Sequence, residues 1–382
     1  MISAGSGLGE SAGGMIVYFE GLLSGLARLD PPLELRVFTR PHAPPIGLPT
    51  GVALDTVACI GLPSRRTLRV AYEHLLLPRL VARSHVDVLL STCNTKPLSW
   101  YGRSVVVLQS LQYLLYPRLF GPTRLLYLRA VVPRSLRAAD AVIAVSDWER
   151  NVAIERFGLD AGRVFTVHHG VSMAAQSAAS DGAPPRRGDE EIRQPYVVMV
   201  STFYSYKNHR RLIKAFAQLI KEHRLPHRLV LAGGDGDVTR TELEHTARRV
   251  GVADRVSFTG PIKHGAVPAL LKGADAVAYV SECETFGHPV VEALAMGRPL
   301  VTSAVASMPE IAGNAAVLVD PFNVESIARG LAMALLDMEL RDRLAYDGPR
   351  RAATFTWSRC AEETAAVLQF AVERPKRGPT HA

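Results

Sequence analysis

Two carboxylates, Glu284 and Glu292, flank a short loop and a helix start within the stretch Ser281 to Pro309. Pro289 suits the first turn of a helix, where its missing N–H leaves nothing unpaired. Gly297 followed by Arg298-Pro299 supplies a left-handed stop and a breaker. The pattern predicts a helix over Val290 to Met296, with Glu292 in its first turns and Glu284 on the loop before it. Thr285-Phe286-Gly287-His288 then feeds backbone N–H groups into a helix N-terminus, which carries about half a positive charge and unpaired donors. Such a terminus takes an anion, and phosphate is the natural one. A carboxylate on either side would repel that phosphate unless each serves sugar hydroxyls as an acceptor. Phosphate between polyols describes a nucleotide sugar.

The rest of the chain must hold this stretch in place. Its 382 residues, 48% of them apolar, predict a globular protein of two domains. The longest apolar runs fall far below the ~18–20 residues of a membrane span. No charged segment followed by an apolar one opens the sequence, which argues against secretion. Cys59, Cys93, Cys283 and Cys360 are scattered without metal-ligand or disulfide spacing, as a reducing cytoplasm allows.

The formal charge of +8 is uneven, residues 1–180 carrying 18 Lys and Arg against 12 Asp and Glu. Dense basic runs and a recognisable nucleic-acid module are both missing, so nucleic acid is not an expected partner. An anionic membrane surface or a phosphate-bearing acceptor fits the excess better. Ser64 to Ser84 predicts one amphipathic basic helix. Gln112 to Arg137 mixes Tyr113, Tyr116, Phe120 and Tyr127 with Arg118, Arg124, Arg129, Arg134 and Arg137. Both segments suit a bilayer interface, but such a helix as the first is more often packed on a sheet, whereas core packing with arginines turned outward explains the second equally well.

Apolar, β-branched runs predict buried parallel strands at Val86–Ser91, Ser104–Leu108, Ala139–Ser146, Val164–Val167, Tyr196–Val200, Leu229–Ala232, Val256–Gly260 and Ala274–Val280. Helical spacing predicts helices over Met15–Leu29, Asp147–Phe157, His209–His223, Thr239–Val250 and Val324–Leu336. Asp235-Gly-Asp237 has the look of a metal-nucleotide motif, but its place between a strand and a polar helix favours a turn and a helix cap. His168-His169 has no third ligand nearby in sequence, so no metal site is expected.

The ordered set Glu284, Phe286-Gly287, Pro289, Glu292-Ala293, Ala295, Gly297 and Pro299, continuing through Leu300-Val-Thr-Ser303 and Val317-Leu-Val-Asp-Pro321, resembles the E-x7-E signature of the retaining family 4 glycosyltransferases. The resemblance implies an α/β protein of GT-B fold, two Rossmann-like doubly wound domains facing each other across a cleft. It places an N-terminal acceptor domain at 1–171, a linker at 172–194 and a nucleotide-sugar domain at 195–357. A terminal segment, 358–382, then crosses back to the first domain.

The same resemblance implies transfer of a hexose, with retention, from GDP-mannose or a UDP-sugar to a polysaccharide or lipid-linked glycan. No cofactor and no metal are implied. Lys207 matches the lysine that contacts the donor pyrophosphate, and Glu284 the residue serving the donor sugar. Glu292 matches the residue serving the ribose diol. Phe286, Gly287 and His288 would hold the donor, Ile262 and Lys263 the base, and Gly13-Gly14 the phosphate and acceptor loop.

Three features depart from the family. No strand is read before the glycine-rich start. Gln109 stands where a histidine is usual, and an amide carries no proton or charge. Ser201-Thr202-Phe203 lacks the usual arginine, leaving Arg210 and Arg211 as nearby substitutes. These departures keep open donor binding without transfer and, further off, sugar-nucleotide epimerisation.

Overall fold

The apolar runs become strands buried on both faces, as parallel sheets under helices require. The computed structural model describes residues 2, 3, 13–39, 55–59, 66–171, 186, 187, 190, 191 and 194–375. The chain divides into two units, Met1–Gly170 with Thr356–Ala382, and Val171–Phe355.

The first unit holds strands β1 (Ile2–Ser3), β2 (Arg36–Thr39), β3 (Asp55–Ala58), β4 (Leu89–Ser91), β5 (Ser104–Leu108), β6 (Ala141–Ala144) and β7 (Val164–Thr166). They pair in the order β3-β2-β1-β4-β5-β6-β7, every neighbour parallel. The strand expected to be missing is therefore present. Ile2 pairs with Val37 on one side and Leu90 on the other. Two residues carry too little pattern to be read as a strand alone, and only the flanking strands define them.

The helix Gly13–Leu26 begins at the two glycines themselves, so Gly13 and Gly14 open the helix instead of preceding it. The loop expected before them lies outside the described residues. The single helix expected over Ser64 to Ser84 is two, Arg66–Leu75 and Leu77–Arg83, separated at Leu76 with Pro78 in the first turn of the second. Helix Trp357–Glu373 packs on helix Gly13–Leu26 at close range. A Cβ on Gly25 would lie 2.5 Å from the Trp357 carbonyl oxygen and 2.8 Å from Ala361 Cβ.

Within the expected linker a hairpin of β8 (Arg186–Arg187) and β9 (Glu190–Glu191) pairs antiparallel, and its other residues up to 193 lie outside the described set. The second unit's main sheet comprises β10 (Tyr196–Val200), β11 (Arg228–Ala232), β12 (Val256–Gly260), β13 (Ala276–Tyr279), β14 (Leu300–Ser303) and β15 (Val317–Val319). Their order is β12-β11-β10-β13-β14-β15, again all parallel.

Each sheet reverses its winding once, at β1/β4 and at β10/β13. In open α/β sheets ligands bind outside the carboxyl ends of the strands at that reversal. Some helix starts are fixed by side-chain caps. Ser146 Oγ accepts from Glu149 N, and Thr239 and Glu242 form a reciprocal capping box. Among the described residues no helix is long and apolar enough to cross a membrane.

Candidate functional site

The loops leaving β10 and β13 meet at the winding reversal of the second sheet. Lys207, at the end of the β10 loop, donates from Nζ to Glu284 Oε1 at 2.6 Å. The Tyr279 hydroxyl, at the tip of β13, donates to the same oxygen at 2.9 Å and also accepts from Lys207 Nζ. Burial pushes the Tyr279 phenol well above its ordinary range, with the Glu284 charge adding to the effect. Tyr279 therefore stays protonated and acts as a donor. Lys207 Nζ also stands 5.2 Å from the Tyr206 ring centroid and 5.0 Å from that of Tyr279. Aromatic faces attract a cation, so the two rings help hold the lysine in place.

Asn208 fixes the lysine loop. Its backbone is left-handed, φ 70°, a conformation asparagine tolerates better than most residues. Its buried amide donates to Val280 O at 3.0 Å and Pro321 O at 2.7 Å, tying the loops after β10, β13 and β15 together. Glu282 N donates to Tyr206 O at 2.7 Å, a second link between the first two loops.

The glutamate loop hangs from hydroxyls of the following segment. Thr302 Oγ1 donates to Tyr279 O at 2.9 Å and Ser303 Oγ to Ser281 O at 2.6 Å. Ser307 Oγ donates to Glu284 O at 2.9 Å. These bonds give Thr302, Ser303 and Ser307 a physical role: they satisfy carbonyls that an irregular loop would otherwise bury unpaired.

The helix after the loop runs His288–Ala295, with Pro289 in its first turn and Gly287 as its N-cap. Gly287 has φ 89° and supplies no side-chain cap, so the first-turn N–H groups are not taken by one. This is the helix start to which the sequence pattern assigns an anion. Phe286 is buried against the rings of His288 and Phe355, at centroid distances of 5.1 and 5.7 Å. Its side chain is core. Glu292 lies half-buried one turn into the helix.

Ile262 and Lys263 occupy the turn after β12, two strands from β10 at the same carboxyl end of the sheet. Ile262 is half-buried and Lys263 exposed. Arg210 and Arg211 are both engaged on helix His209–His223. Arg210 pairs with Glu242 at 2.8 Å and Arg211 with Glu282 at 2.5 Å.

The Asp-Gly-Asp turn precedes helix Arg240–Arg249, whose N-cap is Thr239 and not an aspartate, although both aspartates accept backbone N–H groups. Asp235 Oδ1 accepts from Arg240 N and Asp237 Oδ1 from Ser205 N, each at 2.7 Å. Among the described residues no group of three or more His, Cys, Asp and Glu is arranged to hold a metal ion. His169 sits among aromatic rings, 4.3 Å from the Tyr18 centroid.

In the first unit Gln109 follows β5, half-buried. Its backbone N–H donates to Asn94 Oδ1 at 2.6 Å, which joins the ends of β4 and β5. Sequence reasoning missed Tyr279, Asn208 and the three hydroxyls. A polar-tipped residue ending a buried strand, directly before the carboxylate loop, was the available signal for Tyr279.

Residues 12–175 match the model of Glycosyltransferase Family 4, and residues 185–351 that of Glycosyl transferases group 1. The chain belongs to glycosyltransferase family 4. Its two parallel α/β units are those of the GT-B fold. The family 4 chain is 27% identical to the O-antigen chain mannosyltransferase B of Escherichia coli, over 78% of this chain and 80% of that protein. It is 28% identical to a D-inositol 3-phosphate glycosyltransferase of Corynebacterium glutamicum, over 64% of this chain but only 60% of that relative's length. Anabaena Alr3699/HepE, solved in complex with UDP and glucose, shares the fold at a TM-score of 0.69. It is 20% identical, with 96% of this chain and 98% of that one covered.

Proposed function

We propose that this chain transfers a hexose from a nucleotide-diphosphate sugar, GDP-mannose or a UDP-sugar, to a polysaccharide or lipid-linked glycan, with retention of configuration. The observation that carries the reading is the Lys207–Glu284 pair beside the open N-terminus of helix His288–Ala295. A cation and a row of N–H groups receive the diphosphate, while carboxylates before and within the helix accept from hydroxyls. Lys207 and the backbone at 286–288 stabilise charge on the departing diphosphate, the term on which such transfer chiefly depends. Glu284 serves the sugar hydroxyls and Glu292 the ribose diol. Ile262 and Lys263 hold the base.

The Anabaena complex with UDP and glucose supports a nucleotide-sugar donor. The O-antigen relative supports a glycan acceptor of the cell envelope. Gln109 and the Gly13-Gly14 segment are assigned to the phosphate and acceptor side on the family pattern. The basic first half of the chain fits work at the inner, anionic face of a membrane from the cytoplasm. The proposed transfer needs no metal, a reading supported by Asp235 and Asp237 each accepting a backbone N–H.

A thermal-shift panel of UDP-, GDP- and ADP-sugars tests donor binding, and transfer to a glycan acceptor pool tests turnover. A stabilising donor that is never transferred would favour binding alone, the reading Gln109 keeps open. No stabilisation by any sugar nucleotide would remove the proposal.

A further inference from the structure

The first unit contains a cavity of about 510 Å³ that the donor chemistry does not use. It lies between helix Pro122–Ala138 and the end of helix Asp147–Phe157, floored by Tyr113 of the short helix Gln112–Leu115. Four guanidinium groups line it, those of Arg129, Arg134, Arg137 and Arg156, and no acidic residue does. Arg137 Nε donates to Phe157 O at 3.0 Å, which ties the two helices together, and Arg134 bonds Ala130 O. Among the described residues Arg129 and Arg156 make neither a hydrogen bond nor an ion pair.

The floor is the second observation. Tyr113 is 2% exposed, and its hydroxyl has no partner among the described residues. Burial pushes the phenol up to about 12 although Arg156 and Arg129 pull it down, which places both charges near the hydroxyl. A buried hydroxyl without a partner costs free energy unless a ligand or water completes it. Arginines on a solvated helix face need no such floor.

We propose that this cavity binds a phosphate group, held by Arg129 and Arg156, framed by Arg134 and Arg137, and completed by the Tyr113 hydroxyl. Arg129 and Arg156, two positive charges without a counter-charge among the described residues, exceed what one carboxylate needs, and planar guanidinium forks match phosphate oxygens. The group is that of a phospholipid headgroup or of a soluble phosphate, and the site is independent of the donor reading.

The test uses the full chain, and substitutions confined to the cavity separate its binding from that of the donor site. Inorganic pyrophosphate is titrated calorimetrically, and vesicles of phosphatidylcholine with or without phosphatidic acid are co-sedimented. Pyrophosphate binding that weakens about tenfold or more in Arg129→Ala/Arg156→Ala supports the site with a soluble source. Sedimentation only with phosphatidic acid, lost in the same variant, supports it with a lipid source. Tyr113→Phe weakens either interaction roughly twofold to tenfold. No binding in either arm overturns the proposal. So does an equal loss in Arg28→Ala/Arg79→Ala, which removes the same charge elsewhere, or full binding by Tyr113→Phe. Unfolding curves of each variant separate lost binding from lost fold.

Discussion

Tyr279 and Lys207 converge on one oxygen, Glu284 Oε1, from opposite sides of the winding reversal in the second sheet. The triangle fixes the lysine where a diphosphate would arrive. Lys207→Ala is expected to lower kcat by roughly a hundredfold to a thousandfold, the loss typical of removing one charge-stabilising donor. Affinity for the donor should change far less. A wild-type kcat in this variant would exclude the lysine from the chemistry.

Tyr279→Phe deletes a hydroxyl without opening a cavity. The expected result is a roughly tenfold fall in kcat/KM with an unchanged unfolding midpoint, because only the aim of Lys207 and Glu284 is lost. Steady-state kinetics beside a thermal melt reads both. A fall in the midpoint without a kinetic change would make Tyr279 purely a packing residue.

Glu292→Ala should act on binding. Losing a charged acceptor for the ribose diol is expected to weaken nucleotide affinity about tenfold to a hundredfold. Turnover at saturating donor stays near wild type. Calorimetry with the free nucleoside diphosphate separates this from a sugar contact.

His209 is buried with Nε2 3.1 Å from Ser201 Oγ, and burial, aided by the Lys207 charge, holds its ring down to about 3 from an ordinary 6.5. The folded state keeps the ring neutral while the unfolded chain protonates below 6.5. Stability is thus full above pH 6.5 and falls on acidification toward 3, by about 1.4 kcal/mol per pH unit inside that window. His209→Gln should flatten the slope between pH 6.5 and 5. Denaturant melts of both chains over that range check it, and parallel slopes would refute it.

Gly287→Ala tests the loop. At φ 89° a side chain costs roughly 1–2 kcal/mol, and its Cβ would stand 2.6 Å from Met308 Cε. Lower stability together with weaker donor binding is expected. Gly287→Ala/Met308→Ala removes the clash but not the strain, so its donor binding should recover only in part.

Apolar runs bounded by punctuation placed β5, β10 and β12 and the helices Asp147–Phe157, His209–His223 and Val324–Leu336 with the observed ends. Local pattern suffices where one element buries a continuous or periodic face. Glu284, Glu292 and the Gly/Pro spacing between them also exposed the helix start, because helix starts and stops are local chemistry. Other features waited on the tertiary structure. Ile2–Ser3 is a strand only because Val37 and Leu90 flank it. Gly13 and Gly14 join a helix whose far turns pack on Trp357 and Ala361, contacts remote in sequence. Tyr279, Asn208, Thr302, Ser303 and Ser307 gained their roles because parallel crossovers bring the ends of β10, β13 and β14 to one edge. Sequence alone determined the buried runs and the helix starts and stops; the sheet order decided which side chains meet, since hydrogen bonds across a winding reversal have no signature along the chain.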